Sequence, residues 1–385
     1  MLAVEERTRR AAGFDQEPPE LQNGDRLRSQ EFLRRYEAMP EIKKAESFLK
    51  KLRAKWEDRI FASVGATPQD DPIKARIMRD VLPILLDNQE RFFKSYQLSE
   101  VNRADADDPK LQQTIYDLVC KAVVRMSMPR LVSVQPMSMP ASFIFFMKYV
   151  FENLDAVKES FEYGAKPNSA YSINIESQAC SAVTEILKVP WLMSGMSGEA
   201  MQDLVAIHDL DAIQCLKDLM VCNLVSMLDR AIMKRLFEGL VAAGKVEELA
   251  PSRGDGLCDF RPAMNKLHKA CLRQPDFIVG GSSAISSYAG AAIQSEDKSG
   301  IFCVGTNGGL KVWCDTMMPD NGAILGRTPT GLLDSGFVWA PFVPVVLMPN
   351  ESEKDGRVPP RRIATRHALA LFDPNRFLVV KCQNK

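Results

Sequence analysis

The chain holds little histidine, with only His208, His268 and His367 among 385 residues. None stands in a His-x-x-x-His or Cys-His spacing, so no zinc centre is expected. It also lacks an excess of charge: Lys plus Arg and Asp plus Glu number 49 each. That balance removes the overall positive field that draws dedicated nucleic-acid binders and basic membrane-surface proteins to their partners. No run of about 18 apolar residues occurs, so no membrane-spanning helix is expected. The opening residues Met1 to Arg7 are charged where a secretory leader needs a basic stretch followed by an apolar one, and no leader is expected. The nine cysteines, from Cys120 to Cys382, are odd in number and contain no Cys-x-x-Cys pair. They read as reduced cytosolic thiols rather than a secreted disulfide framework. Cys258, in a Gly-Asp-Gly-Leu-Cys loop, and Cys382, near the C-terminus, are expected to be the most exposed, and available to cross-link copies in an oxidising medium.

Catalytic signatures are equally sparse. Gly280-Gly281-Ser282-Ser283 follows an apolar strand and precedes a small-residue helix, where it could cradle a phosphate. It has neither the Gly-x-Gly-x-x-Gly spacing nor a Gly-Lys-Ser/Thr ending, and Ser282 or Ser283 reads as a helix N-cap. Gly305-Thr306-Asn307-Gly308-Gly309 lies between two apolar runs and reads as a hairpin turn. No Gly-x-Ser-x-Gly elbow is present. His208, with Asp209 and Asp211, suits the start of a long helix, a capping role favoured by the helix dipole. An enzyme would have to assemble its site from separated residues such as Cys271, His268 and Asp276. That is the rival functional class, a soluble cytosolic enzyme with a Cys/His site. The preferred reading assigns no catalytic, cofactor-binding or metal residues.

At 385 residues, two or three lobes are expected. Residues 1–72 are charged and sparsely apolar. From Ser29 to Phe61 the residues Phe32, Leu33, Tyr36, Leu49, Leu52 and Trp56 recur at helical spacing, a segment unable to make a core alone. It is expected to lie on a neighbouring subunit, or failing that to pack as a helical hairpin on its own body. Pro68 to Pro72 is a linker, Ile73 to Tyr96 a helix, and a second helix ends near Met128. Leu131 to Lys148 describes a short β-rich run, a turn set by Pro136 and Pro140, and an apolar block expected to be buried. Tyr149 to Ser177 alternates around a Gly164 to Asn168 turn. Asp211 to Leu240 is the strongest helix, on the order of 45 Å long, with a stripe of Ile213, Leu216, Met220, Leu224, Met227 and Ala231. Beyond Gly244, short strands at Phe277–Val279, Leu310–Cys314, Gly336–Trp339 and Phe377–Val380 alternate with turns, as in an α+β lobe. No internal repeat is evident.

Four segments, in order, resemble the major capsid proteins of T-even-like contractile-tailed phages. They are Val81-Leu82-Pro83-Ile84-Leu85-Leu86-Asp87-Asn88-Gln89; Leu131-Val132-Ser133-Val134-Gln135-Pro136 continuing to Lys148; Asp203-Leu204-Val205-Ala206-Ile207-His208-Asp209-Leu210-Asp211-Ala212; and Gly336 to Pro344 with Arg361 to His367. One departure is clear: where that family has a Thr-Gly-Arg-Gly run, this chain has Leu267 to Pro275.

The resemblance implies an α+β fold of the HK97-like capsid type. Its parts would be an N-terminal arm (1–72), a helical segment opening the peripheral domain (73–147), an extended E-loop (148–185), a peripheral domain with the spine helix (186–244), and an axial domain with returning peripheral strands (245–385). It implies a major capsid protein that self-assembles into hexamers and pentamers of an icosahedral phage head, or a vertex protein or encapsulin-like shell of the same build. The partners so implied are further copies of the chain, portal, vertex, scaffold and decoration proteins, and packaged double-stranded DNA on the inner face without sequence specificity, with no membrane. The location implied is the virion, after assembly in the host bacterial cytoplasm. Arg357, Arg361, Arg362 and Arg366, the densest basic group near the C-terminus, would bridge carboxylates of neighbouring copies or, alternatively, face DNA. The family's maturation cleavage follows a Leu-x-Glu or Ile-x-Glu sequence. The first match is Leu98-Ser99-Glu100, so the arm is expected to be retained.

Overall fold

The structure is a computed structural model that describes residues 40–96, 109–151, 173–189, 212–249, 259–271, 273–289, 300–329, 336–348 and 362–382. Helix α1 (Pro40–Val64) comes first. Next is a continuous helical stretch made of α2 (Pro72–Arg76), a π-helical turn (Ile77–Val81) and α3 (Leu82–Tyr96). Asp71 caps its start by accepting from Lys74 N–H at 3.0 Å. The π turn lies just before Pro83, whose ring cannot join an ordinary i→i−4 ladder, and Leu82 N–H donates to Ile77 O instead. Helix α4 (Pro109–Arg125) leads through a 3₁₀ turn (Met128–Arg130) to the short strand β1 (Ser133–Val134).

Trp56 and Ile60 of α1 are buried in the main core together with Leu82, Leu85, Phe93 and Tyr116, and Leu52 is buried as well. Trp56 and Tyr116 approach ring to ring at 5.3 Å. From Pro40 on, this part of the N-terminal region therefore packs on the chain's own helices. The reason is that its apolar stripe, narrow as it is, finds a matching groove between α3 and α4.

Strands β2 (Ala141–Phe151) and β3 (Ile173–Val183) form a two-stranded antiparallel ribbon from Ala141↔Val183 to Phe151↔Ile173. After β4 (Glu185–Val189) comes the long helix α5 (Ala212–Ala242), 31 residues or about 45 Å. Its buried apolar residues among those described are Val221, Leu224, Val225, Leu228, Ile232, Met233, Leu236 and Leu240. Of the stripe expected from spacing, Leu224 lies in this set, whereas Met227 and Ala231 are only partly buried. The helix is apolar on more than one side because several elements cover it, so spacing alone misplaces the centre of its buried face.

The remaining elements are β5 (Val246–Leu249), α6 (Arg261–Cys271), β6 (Phe277–Gly280), α7 (Ser282–Ala289), β7 (Ile301–Asn307), β8 (Leu310–Asp315), β9 (Gly322–Gly326), β10 (Phe337–Met348), β11 (Arg362–Leu371) and β12 (Phe377–Cys382). They make a four-stranded sheet ordered β1-β10-β11-β4 and a six-stranded mixed sheet ordered β5-β12-β9-β6-β8-β7. The six-stranded sheet is buried on both faces. Phe277, Val279, Trp313, Ile324, Phe377 and Val379 join the main core, and Ile278, Val312, Leu325, Leu378 and Val380 form a second core with α6 and α7. The β7–β8 turn is Gly308-Gly309 at φ +56° and +85°, as a two-residue hairpin connection requires.

Candidate functional site at the root of the ribbon

The Leu131–Lys148 segment enters the fold beside β10. β1 pairs with it in parallel, and the pairing continues as Gln135 N–H donates to Trp339 O at 3.0 Å and Met137 N–H to Pro341 O at 2.9 Å. Pro136 falls between these two donors, where no N–H is needed. The chain then turns through Pro140 into β2.

β2 is not buried as a block. Ile144 and Phe146 are buried: Ile144 joins Met137, Ala182, Val338, Ala340 and Ala368 in a small core, and Phe146 stacks on Phe372, which packs against that core, at 5.2 Å. Met139 (58%), Phe143 (63%) and Phe145 (52%) are exposed. The sequence reading expected the whole apolar run to be covered. A two-residue period on a ribbon packed on one side leaves alternate residues outside.

Three buried side-chain amides brace this root. β10 carries Pro341 and Pro344, and its register against β11 shifts between Pro341 and Val343 and again between Val343 and Val346. Such bulges strand backbone polar groups inside the protein, where leaving them unpaired is costly. Asn88 of α3 donates through Nδ2 to Phe342 O at 2.9 Å and to Met137 O at 2.7 Å, and its Oδ1 accepts from Arg91. Gln89 Nε2 donates to Val345 O at 2.7 Å, and Gln89 Oε1 accepts Val345 N–H at 3.4 Å. Gln135 repeats the device on the ribbon: Nε2 donates to Phe145 O at 2.8 Å and Oε1 accepts Phe145 N–H at 3.2 Å. Each glutamine amide thus stands in for a strand partner. The Asn88-Gln89 pair and Gln135 both lie in segments that carry the sequence resemblance; the first ties α3 to β10 and to Met137, and the second ties the segment after β1 to β2.

Other candidate residues are placed differently. Cys271, His268 and Asp276 do not form a nucleophile arrangement. Cys271 Sγ donates to Leu267 O at 3.1 Å and Arg273 O at 3.2 Å, and burial raises its pKa, the wrong direction for a reactive thiol. His268 is exposed on α6, and the Asp276 carboxylate is taken by the N–H and hydroxyl of Thr328. His367 is buried, with Nδ1 3.0 Å from Thr365 Oγ1, and burial lowers its pKa to about 4.

At the N-terminus of α7, Ser282 Oγ donates to Asp320 Oδ1 at 3.1 Å, and Ala284 N–H donates to the Asp320 backbone carbonyl at 3.0 Å. Gly281 is there for space: a Cβ would stand 2.4 Å from Pro319 O. Gly281 precedes the helix, its carbonyl accepting Ile285 N–H at 3.0 Å. Arg366 lies over the Phe342 ring at 5.7 Å. His208, Asp209, Asp211, Arg357, Arg361, Cys258 and Leu98–Glu100 fall outside the described residues. Cys382 departs from expectation, being buried and disulfide-bonded within the chain, not an exposed thiol. Cys222 and Cys303 are the free cysteines at the surface among the described residues.

No group of His, Cys, Asp and Glu able to hold a metal ion, and no helix long and apolar enough to cross a membrane, occurs among the described residues. A cleft of about 410 Å³ runs between Arg235, Glu238 and Gly239 of α5 and Phe337, Leu369 and Leu371 of the four-stranded sheet.

No family model and no curated relative matches the chain. Solved structures similar to it include one from Microbacterium phage Oxtober96, at 12% identity and TM-score 0.42, covering 67% of this chain and 91% of that one. Another is the capsid of an empty GTA particle, at 13% identity and TM-score 0.38, covering 68% and 90%. A third is the virus-like particle from Pyrococcus furiosus, at 11% identity and TM-score 0.35, covering 71% and 98%.

Proposed function

We propose that this chain is a shell subunit, the major capsid protein of a tailed phage, which packs as hexamers and pentamers into an icosahedral head around double-stranded DNA. The observation that carries the reading is the ribbon. Among the described residues it is a sheet of only two strands, anchored at one end and presenting Met139, Phe143 and Phe145 to solvent. A two-stranded ribbon is marginal in water unless something covers it, and three large apolar side chains within seven residues mark a surface meant for a partner. The braces at Asn88, Gln89 and Gln135 favour a lever held at a set angle, which suits a repeated head-to-tail contact between identical copies that closes into a shell. The four resembling segments supply the family, and the approximately 45 Å helix α5 suits its spine.

The test is the double variant Phe143→Ser, Phe145→Ser. Both residues are exposed in the single chain, so its fold should be unchanged by circular dichroism; the parent should form large particles by light scattering and electron microscopy, and the double variant only small species. Particles of parental size from the double variant would overturn the reading, as would a parent chain that stays a monomer to tetramer at assembly concentrations.

A further inference from the structure

Asp229 lies on the buried stripe of α5 with no exposed surface, between the aliphatic residues Leu228 and Ile232. Its carboxylate reaches the turn that follows α4: Oδ2 accepts Ser127 N–H at 2.9 Å and Oδ1 accepts Met128 N–H at 3.1 Å. Those two amides open the 3₁₀ turn and have no acceptor within it, so a side chain from another helix caps them. Ser127 then extends the link, its Oγ donating to Ile301 O at 2.8 Å at the start of β7. Three parts of the fold therefore meet at one carboxylate: the long helix, the exit of the N-terminal helices, and the β7–β8 edge of the six-stranded sheet.

Among the described residues, few charges lie near this carboxylate. From β8 comes Asp315, also buried, which accepts Met317 N–H at 2.9 Å. From α5 itself comes Arg230, which acts on Asp315 and lies against Gly300, where a Cβ would come within 3.1 Å of its Nε. The turn after α4 offers backbone N–H groups. Burial accordingly pushes Asp229 up, the Asp315 charge pushes it further, and the two N–H donors pull it back only in part, leaving it at about 7.

We propose that Asp229 is a protonation-controlled latch, which when neutral holds the turn after α4 and the β7–β8 edge against α5, and when ionised loosens this three-way joint. The direction follows from linkage. The carboxyl binds its proton more tightly with the joint closed than with it open and solvated, where it returns to its ordinary value of 3.8. Closure is therefore favoured on the acid side. The opening constant rises about tenfold per pH unit from about pH 4 to about pH 7 and levels off above, on the order of a thousandfold in all.

Hydrogen–deuterium exchange at the Ser127 and Met128 amides of the full chain, corrected for the intrinsic rate, tests this. The parent should show that slope and plateau. Asp229→Asn should abolish the slope, and Asp315→Asn, which removes a neighbouring negative charge, should move the plateau's onset to lower pH. A flat parent profile, or an unchanged slope in Asp229→Asn, overturns the proposal. If Asp229→Asn does not fold, an unmoved onset in Asp315→Asn overturns it instead. None of these readouts depends on whether the chain forms a shell.

Discussion

Replacing Gln89 with Met keeps the side chain's length and volume and removes only its amide, which makes it a clean probe of the brace beneath β10. Gln89 and Val345 are both fully buried, and Val345 sits in the bulge where β11 cannot pair with it. Losing the 2.7 Å bond from Nε2 leaves the Val345 carbonyl without that donor, at a cost of about 1–3 kcal/mol. The contact from Val345 N–H is long at 3.4 Å and adds less. A total of about 2–3 kcal/mol is expected, a substantial part of a domain's usual 5–15 kcal/mol. Gln89→Ala should cost roughly 1–2 kcal/mol more, because it also leaves a cavity. Urea unfolding of the full-length chain measures the loss, and exchange at the Val345 amide locates it. A Gln89→Met chain within about 0.5 kcal/mol of the parent would refute the idea that the amide substitutes for a strand partner.

Further outcomes follow from the same geometry. Leu224→Asp, at a buried position of α5, should cost several kcal/mol and abolish soluble protein; a yield and melting temperature like the parent's would contradict the helix's placement. Gly326→Ala should be strongly destabilising, since a Cβ would stand 2.4 Å from the Phe277 ring and 2.8 Å from the Phe377 ring; equal thermal stability would mean that the two rings can move aside. His367, held near 4 by burial, contributes stability that is present above its ordinary 6.5 and is lost as pH falls toward 4. His367→Gln should remove that loss, read as a smaller fall in stability from pH 7 to pH 4 in the same urea titration; an unchanged fall would contradict it. In native alkylation mapped by mass spectrometry, Cys222 and Cys303 should react quickly, while Cys120, held at about 12 by burial, should not, and Cys382 should need reductant.

Period and punctuation in the sequence determined much of this protein. The long helix, the strands at Phe277, Leu310 and Phe377, the Gly308-Gly309 hairpin and the helical stretch near 73–96 each follow from local propensity and turn chemistry, which neighbours in sequence decide. What covers each face is a different matter, settled by groups far apart in the chain. Phe143 and Phe145 read as core because they sit in an apolar run, and only the one-sided packing of β2 on the four-stranded sheet turns them outward. Asn88, Gln89 and Gln135 were visible as part of a resemblance, yet the work of the α3 pair depends on β10 backbone groups 254 and 256 residues away, and that of Gln135 on Phe145 of β2. Asp229 gave no signal in the sequence, being one of three acidic residues in a largely apolar helix. Its meaning comes from two amides a hundred residues upstream, brought to it by packing, because a buried charge is defined by what surrounds it and not by what precedes it.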